Sequence, residues 1–89
     1  MNKRIVFDGG GFEDYLYWQT QDRKTLKRIN QLLKEIDRSG HEGSGNPEQL
    51  KYKRNNKYWS RRIDSENRLV YAIEEDTILV LQCRYHYDD

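Results

Sequence analysis

The sequence predicts an α+β fold in which two N-terminal helices pack on an antiparallel sheet. Three observations carry this reading. Apolar residues recur at helical spacing from Phe12 to Ile36, short runs rich in β-branched and aromatic residues follow Tyr58, and the gaps between those runs have hairpin length. With 89 residues, the chain is expected to form a single domain over 1–89. Hydrophobic and charged residues each make up 35% of it, so the surface is heavily charged and the small core must lean on aromatic rings. Nine of the eleven aromatics are Tyr or Trp, which pack a ring while keeping a polar tip wet.

Arg4–Phe7 is a brief first strand, and Asp8 with the glycines at 9–11 is expected to stop it and give a sharp entry to a helix. Phe12, Tyr15, Leu16 and Gln19 share one helical face, with Glu13 and Asp14 early, where carboxylates favour a helix start. A break at Thr20–Asp22 follows, with Asp22 or Thr20 as a cap. Leu26, Ile29, Leu32, Leu33 and Ile36 line the second helix, whose other face carries Arg23, Lys24, Lys27, Arg28 and Lys34. Gly40 is a natural C-terminal cap. An irregular loop then runs to residue 49, a short strand is expected at Leu50–Lys53, and Arg54–Lys57 is a polar turn. Tyr58–Ile63, Leu69–Ile73 and Ile78–Tyr85 are consecutive antiparallel strands.

Several function classes are disfavoured. No apolar run reaches the roughly 18 residues of a membrane span, and the N-terminus lacks an apolar signal segment. A single cysteine, Cys83, excludes an intrachain disulfide and fits a reducing compartment, so the cytoplasm is expected. Scattered His and Cys give no metal-ligand spacing, and the glycines at 9–11 lack the pattern of a phosphate-binding loop, so no metal or cofactor is expected. Cys83, within a strand, reads as a small buried residue.

Charge sorting is more informative than total charge. Between Gly43 and Arg68 seven Lys or Arg face three acids, a local surplus of four in a chain whose net charge is +1. Tyr52, Tyr58 and Trp59 sit among these cations, and arginine forks on a rigid sheet match two phosphate oxygens. Strand periodicity sends Arg61 and Arg62 to opposite faces, so Arg61 would be buried if it shared the helix-covered face with Trp59 and Ile63. Arg68 opens the next strand, where it can project beside one of them. Glu48, three residues before Lys51, is a candidate anchor or general base, although most loop acids are merely solvated. His86, between Tyr85 and Tyr87, is the candidate proton donor, since histidine titrates near neutral pH; a histidine near a terminus is more often a bystander. No partner for His41 is evident. Read alone, these residues describe a small α+β domain whose cationic sheet face either binds RNA or is simply solvated and paired with Asp64 and Glu66.

Taken together, several strings resemble the YoeB/Txe toxins of the RelE superfamily. They are Asp14–Gln19 (DYLYWQ), Lys27–Asn30 (KRIN), Gly43–Lys51 (GSGNPEQLK), Trp59–Ile63 (WSRRI), Glu66–Tyr71 (ENRLVY) and Cys83–Tyr87 (CRYHY). The resemblance covers nearly the whole chain and implies the compact microbial-RNase fold. It implies a ribosome-dependent mRNA endonuclease that cuts in the ribosomal A site, inhibits translation and is held inactive by a cognate YefM/Axe-like antitoxin; a homodimer is also implied. By position, Glu48 matches the general base, His86 the general acid and Arg68 the arginine at the scissile phosphate. Lys51 and Arg62 match supporting cations and Tyr87 a ring that holds the RNA, and Arg61 is grouped with these substrate-binding residues. The implied chemistry is attack by a ribose 2′-OH and needs no metal. The sequence departs from the family at Asn46 and Gln49, where Lys and Pro are common, in a longer Lys53–Lys57 loop, and in Asp88 and Asp89 beyond Tyr87, which are expected to repel phosphate and weaken cleavage. A module that blocks RNA or the A site without cutting is the alternative; it needs the cations but neither Glu48 nor His86.

Overall fold

The computed structural model describes residues 2–51 and 57–86. The elements run β1 (Arg4–Phe7), α1 (Gly9–Gln21), α2 (Arg23–Ser39), β2 (Glu48–Gln49), β3 (Tyr58–Arg62), β4 (Arg68–Glu74) and β5 (Thr77–Gln82). One five-stranded sheet has the order β1-β5-β4-β3-β2. β2 to β5 pair antiparallel as expected, but β1 lies parallel to β5, so the sheet is mixed. Both helices intervene between β1 and the other strands, which is the kind of long connection a parallel neighbour requires. Among the described residues no helix is long and apolar enough to cross a membrane.

Two local expectations are corrected. The glycines at 9–11 do not precede the first helix but form its first turn, capped by Asp8, whose Oδ1 accepts from the Gly11 N–H at 3.0 Å. A Cβ on Gly11 would collide with the Val80 carbonyl oxygen, so glycine is what allows α1 to lie against β5. The short strand expected at Leu50–Lys53 is instead the two-residue β2, with Glu48 opposite Ser60 and Gln49 opposite Trp59; residues 52–56 lie outside the described set. Asp22 caps α2 as expected, accepting from the Lys24 and Thr25 N–H groups at 3.1 and 3.2 Å. The Thr25 hydroxyl, which donates to Asp22 Oδ2 at 2.8 Å, and then these N–H bonds hold its carboxyl below the usual range.

Alternation along the strands separates two faces. Ile63, Leu69, Tyr71, Ile78, Val80 and Cys83 meet Trp18 of α1 and Ile29, Leu32, Leu33 and Ile36 of α2 in the main core. The open face carries a smaller cluster of Leu50, Tyr58, Val70 and Ala72, flanked by Leu79 and Leu81.

Arg61 belongs to the helix-covered face and is 0% exposed. A buried guanidinium is tolerated only when its donors are satisfied. Nε donates to the Tyr71 hydroxyl at 3.3 Å, Nη1 to Glu35 Oε1 at 3.2 Å and the Ser44 carbonyl at 3.1 Å, and Nη2 to the carbonyls of Gly40 and Glu42 at 2.8 and 3.0 Å. Five N–H groups thus meet five acceptors. Three acceptors are backbone carbonyls of the 40–45 loop, so the arginine ties that loop across β3. Gly43 has φ 137°, and a Cβ there would fall 2.8 Å from Arg61 Nη1. Glu35 completes the clamp by accepting from the Ser44 hydroxyl at 2.7 Å and the Ser44 N–H at 2.8 Å, which hold its carboxyl below the usual range. His41, left without a partner by the sequence, stacks on Trp59 with ring centres 3.9 Å apart and places Nδ1 3.2 Å from the Tyr71 hydroxyl. Because Tyr71 accepts from Arg61, its own proton is available to a neutral His41.

Two outcomes follow from this clamp. Arg61→Met leaves the three loop carbonyls without their donors and Glu35 with its Ser44 bonds alone, and is expected to cost about 3–5 kcal/mol in denaturant unfolding; an unchanged midpoint with loss of RNA binding would instead return Arg61 to a substrate role. Burial, and then the Arg61 charge, hold the His41 pKa below its ordinary 6.5. Unfolded His41 therefore takes a proton near pH 6.5 while folded His41 resists until lower pH, so its contribution is intact above 6.5 and is lost as pH falls below it. His41→Gln should flatten the stability–pH curve between pH 7.5 and 5.5 relative to the wild type; parallel curves would contradict the assignment.

Candidate active site

Sheet register assembles the polar half of the open face. Glu48 lies opposite Ser60, and Arg62, two residues further along β3, lies opposite Arg68 at the start of β4. Side chains directly opposite on paired strands share a face and stand about 5 Å apart at Cβ. The open-face side chains therefore make a stepped row, with Glu48 beside Ser60, Arg62 next along β3 on that face and Arg68 opposite Arg62, next to the apolar cluster of Tyr58, Val70 and Ala72. Two arginines directly opposite repel each other, an arrangement that an anion between them relieves. Arg62 and Glu48 are exposed and Arg68 is half-buried. Arg68 Nη1 donates to the carbonyls of Asp64 and Asn67 at 2.8 and 3.1 Å, which orients the guanidinium through one nitrogen.

Each end of the row is set by a different device. Glu48 follows the loop clamped by Arg61: the Gly45 carbonyl accepts from the Arg62 N–H at 2.6 Å, and the Asn46 side-chain amide lies 3.4 Å from Glu48 Oε1. At the other end the chain leaves β5 at Gln82 and bends through residues 83–85, so the strand ends three residues short of the expected Tyr85. Trp18 Nε1 donates to the Cys83 carbonyl at 2.8 Å and Asp14 Oδ2 accepts the Cys83 N–H at 3.0 Å. The Arg84 guanidinium lies 3.4 Å from the centre of the Tyr17 ring and 4.5 Å from that of Tyr85. The Tyr85 carbonyl accepts from the Arg68 N–H at 2.9 Å, which brings the exposed His86 next to the arginine row.

The row thus brings together Glu48, Arg62 and Arg68, with His86 following directly on a residue bonded to Arg68. Lys51 is exposed two residues past β2. Tyr87, expected to hold RNA, lies outside the described residues, as do Asp88 and Asp89. Arg61 is not part of the row. Its inclusion among the substrate-binding residues is corrected, because its fully buried guanidinium is occupied by the loop and has no face open to a phosphate. Cys83 is buried, and burial together with the nearby Asp14 charge pushes its thiol up to about 12, which leaves no thiolate nucleophile at neutral pH. Burial likewise raises Asp14, against the pull of the Cys83 N–H and Arg84. Among the described residues no three His, Cys, Asp or Glu side chains converge as a metal site. Sequence reasoning read Asp14 with Glu13 as a helix-start acid and Phe12, Tyr15, Leu16 and Gln19 as the shared face of α1. Instead α1 begins at Gly9, Phe12 and Leu16 are exposed, and Asp14, Tyr17 and Trp18 hold the C-terminal segment, a role for which the sequence gave no signal.

Comparison with known proteins agrees with this architecture. The family model described as a YoeB-like toxin of bacterial type II toxin-antitoxin systems matches residues 7–87. The chain is 45% identical to the toxin YoeB of Escherichia coli (strain K12) over 84 residues, covering 94% of this chain and 99% of that one. Its structure is similar to that of the YoeB dimer from Staphylococcus aureus, with a TM-score of 0.92 and 48% identity over 98% of this chain and 100% of that chain. A chain of the heterotetrameric YoeB-YefM toxin-antitoxin complex from the same organism gives a TM-score of 0.87 and 48% identity, covering 98% of this chain and 100% of that chain. The protein therefore belongs to the YoeB-like toxins of bacterial type II toxin-antitoxin systems.

Proposed function

We propose that this toxin is a ribosome-dependent endoribonuclease that cleaves mRNA in the ribosomal A site and so inhibits translation in the cytoplasm. The observation that carries the reading is the opposed pair Arg62–Arg68 on the open face, with Glu48 on one side and the His86 segment on the other. A phosphodiester bound between the arginines would place a carboxylate and an imidazole on opposite sides of one phosphorus. Glu48 takes the proton of the ribose 2′-OH, whose oxygen attacks the adjacent phosphorus. Arg68, with Arg62 and Lys51, stabilises the charge growing on the phosphoryl oxygens. His86 gives a proton to the departing 5′-oxygen, leaving a 2′,3′-cyclic phosphate and a 5′-hydroxyl. Tyr87 stacks on a neighbouring base. No step of this scheme requires a metal ion.

A chain with a net charge of only +1 makes a weak free ribonuclease, and the ribosome would supply the docking surface it lacks. The concentrated charge of 43–68 also suits an acidic partner at rest. We assign that role to a YefM-like antitoxin, in line with the YoeB-YefM complex formed by the Staphylococcus relative, and the YoeB dimer of the same organism supports a homodimer.

Primer extension on an mRNA in a purified translation system tests the reading. The wild type should cut at the A site only when ribosomes are present. Glu48→Ala and His86→Ala should each slow cleavage by about 10²–10⁴-fold, the usual worth of a general acid or base. Stalled ribosomes on intact mRNA, unaffected by either substitution, would identify a blocking module instead.

A further inference from the structure

The turn from β3 to β4 ties both halves of the site together through one residue, Asn67. Asn67 Nδ2 donates to Asp64 Oδ1 and Oδ2 at 3.1 and 3.2 Å, while its Oδ1 accepts the Tyr85 N–H at 2.7 Å. The amide orientation is fixed by chemistry, because an ionised carboxylate can only accept and a backbone N–H can only donate. The Asn67 carbonyl, with that of Asp64, accepts from Arg68 Nη1, and the Asn67 carbonyl also closes the turn by accepting the Ile63 N–H at 3.0 Å. One residue therefore holds the Arg68 guanidinium through its backbone and the segment before His86 through its side chain.

Tyr85 makes the side-chain bond consequential. Its φ is +71°, a left-handed conformation uncommon for an aromatic residue and maintained only when the surroundings impose it. Here the bonds to Asn67 and Arg68 grip the peptide on both sides of that torsion, and the direction in which the chain presents His86 depends on it.

We propose that Asn67 is a positioning residue that sets Arg68 and His86 in one arrangement about the scissile phosphate, an assignment that rests on the endoribonuclease reading above. Without its Oδ1, Tyr85 relaxes to negative φ and His86 swings away from the leaving oxygen, while the cations that bind RNA stay in place. The loss therefore falls on the chemical step and not on binding.

The test is single-turnover mRNA cleavage on programmed ribosomes by the full chain, with amide hydrogen exchange on the free protein. Asn67→Ala should lower the maximal rate by about 10–100-fold, the scale of a small misplacement of a reacting group, with half-saturation unchanged within about twofold. The Tyr85 amide should be protected in the wild type and lose protection in Asn67→Ala. Tyr85→Gly, which adopts positive φ unaided, should recover part of the rate in the Asn67→Ala background. A wild-type maximal rate in Asn67→Ala, a defect confined to half-saturation, or an unprotected Tyr85 amide in the wild type would overturn the assignment alone. A wild type that leaves mRNA intact, with Glu48→Ala and His86→Ala indistinguishable from it, would overturn the endoribonuclease reading and the assignment with it.

Discussion

A guanidinium shut away from water is stable in this small core because five acceptors converge on Arg61, three of them carbonyls of the loop that leads to Glu48. Removing a charge from water costs several kcal/mol unless each donor is satisfied. The chain meets that requirement by bending the 40–45 loop inward, with glycines where side chains would strike the guanidinium or β3. The polar network thereby does what an apolar core cannot, giving an irregular loop one defined path. Glu35, Tyr71 and His41 extend it, so the edge of the sheet that carries Glu48 is fixed by electrostatics as much as by packing.

The two faces of the sheet divide the remaining work. The helix-covered face holds the aliphatic core, and α1 also reaches the sheet's end to grip Cys83 and Arg84 through Asp14, Tyr17 and Trp18. The open face keeps the row of Glu48, Arg62 and Arg68 accessible. Opposed arginines weaken the resting fold slightly through repulsion, and such a cost is expected where a surface is built to receive a phosphate. Paired strands supply the two arginines and the proposed base, and the tied segment after β5 supplies the proposed acid, so neither end of the row is set by chance.

Much of the fold was legible in the sequence because its signals are local. The helical spacing of Leu26 to Ile36, the cap at Asp22 and the hairpin-length gaps around Asp64 and Glu75 each act within a few residues. The misread features depend on distant partners. Glycines at 9–11 discourage a helix by propensity, and only Val80 in β5 explains why Gly11 sits inside one. The period of two raised the prospect that Arg61 is buried, but loop carbonyls carry no sequence signal, so its partners were invisible. The parallel placement of β1 was hidden for the same reason. For the site, the charge of 43–68 was visible from composition, and Glu48 and His86 stood out only as weak candidates, whose roles as base and acid rested on family resemblance. Asn67 gave no signal at all, since a turn asparagine is ordinary until the Tyr85 backbone is placed against it.

In the proposed mechanism the open face performs acid–base chemistry through the RNA's own 2′-hydroxyl. The most direct test is an mRNA carrying a single 2′-deoxy nucleotide at the position cut by the wild-type toxin, programmed on ribosomes in the presence of a chelator that spares ribosome integrity. The all-ribose message should be cut to 5′-hydroxyl ends and the deoxy message should survive. Equal cleavage of both messages, or 5′-phosphate ends, would contradict the mechanism.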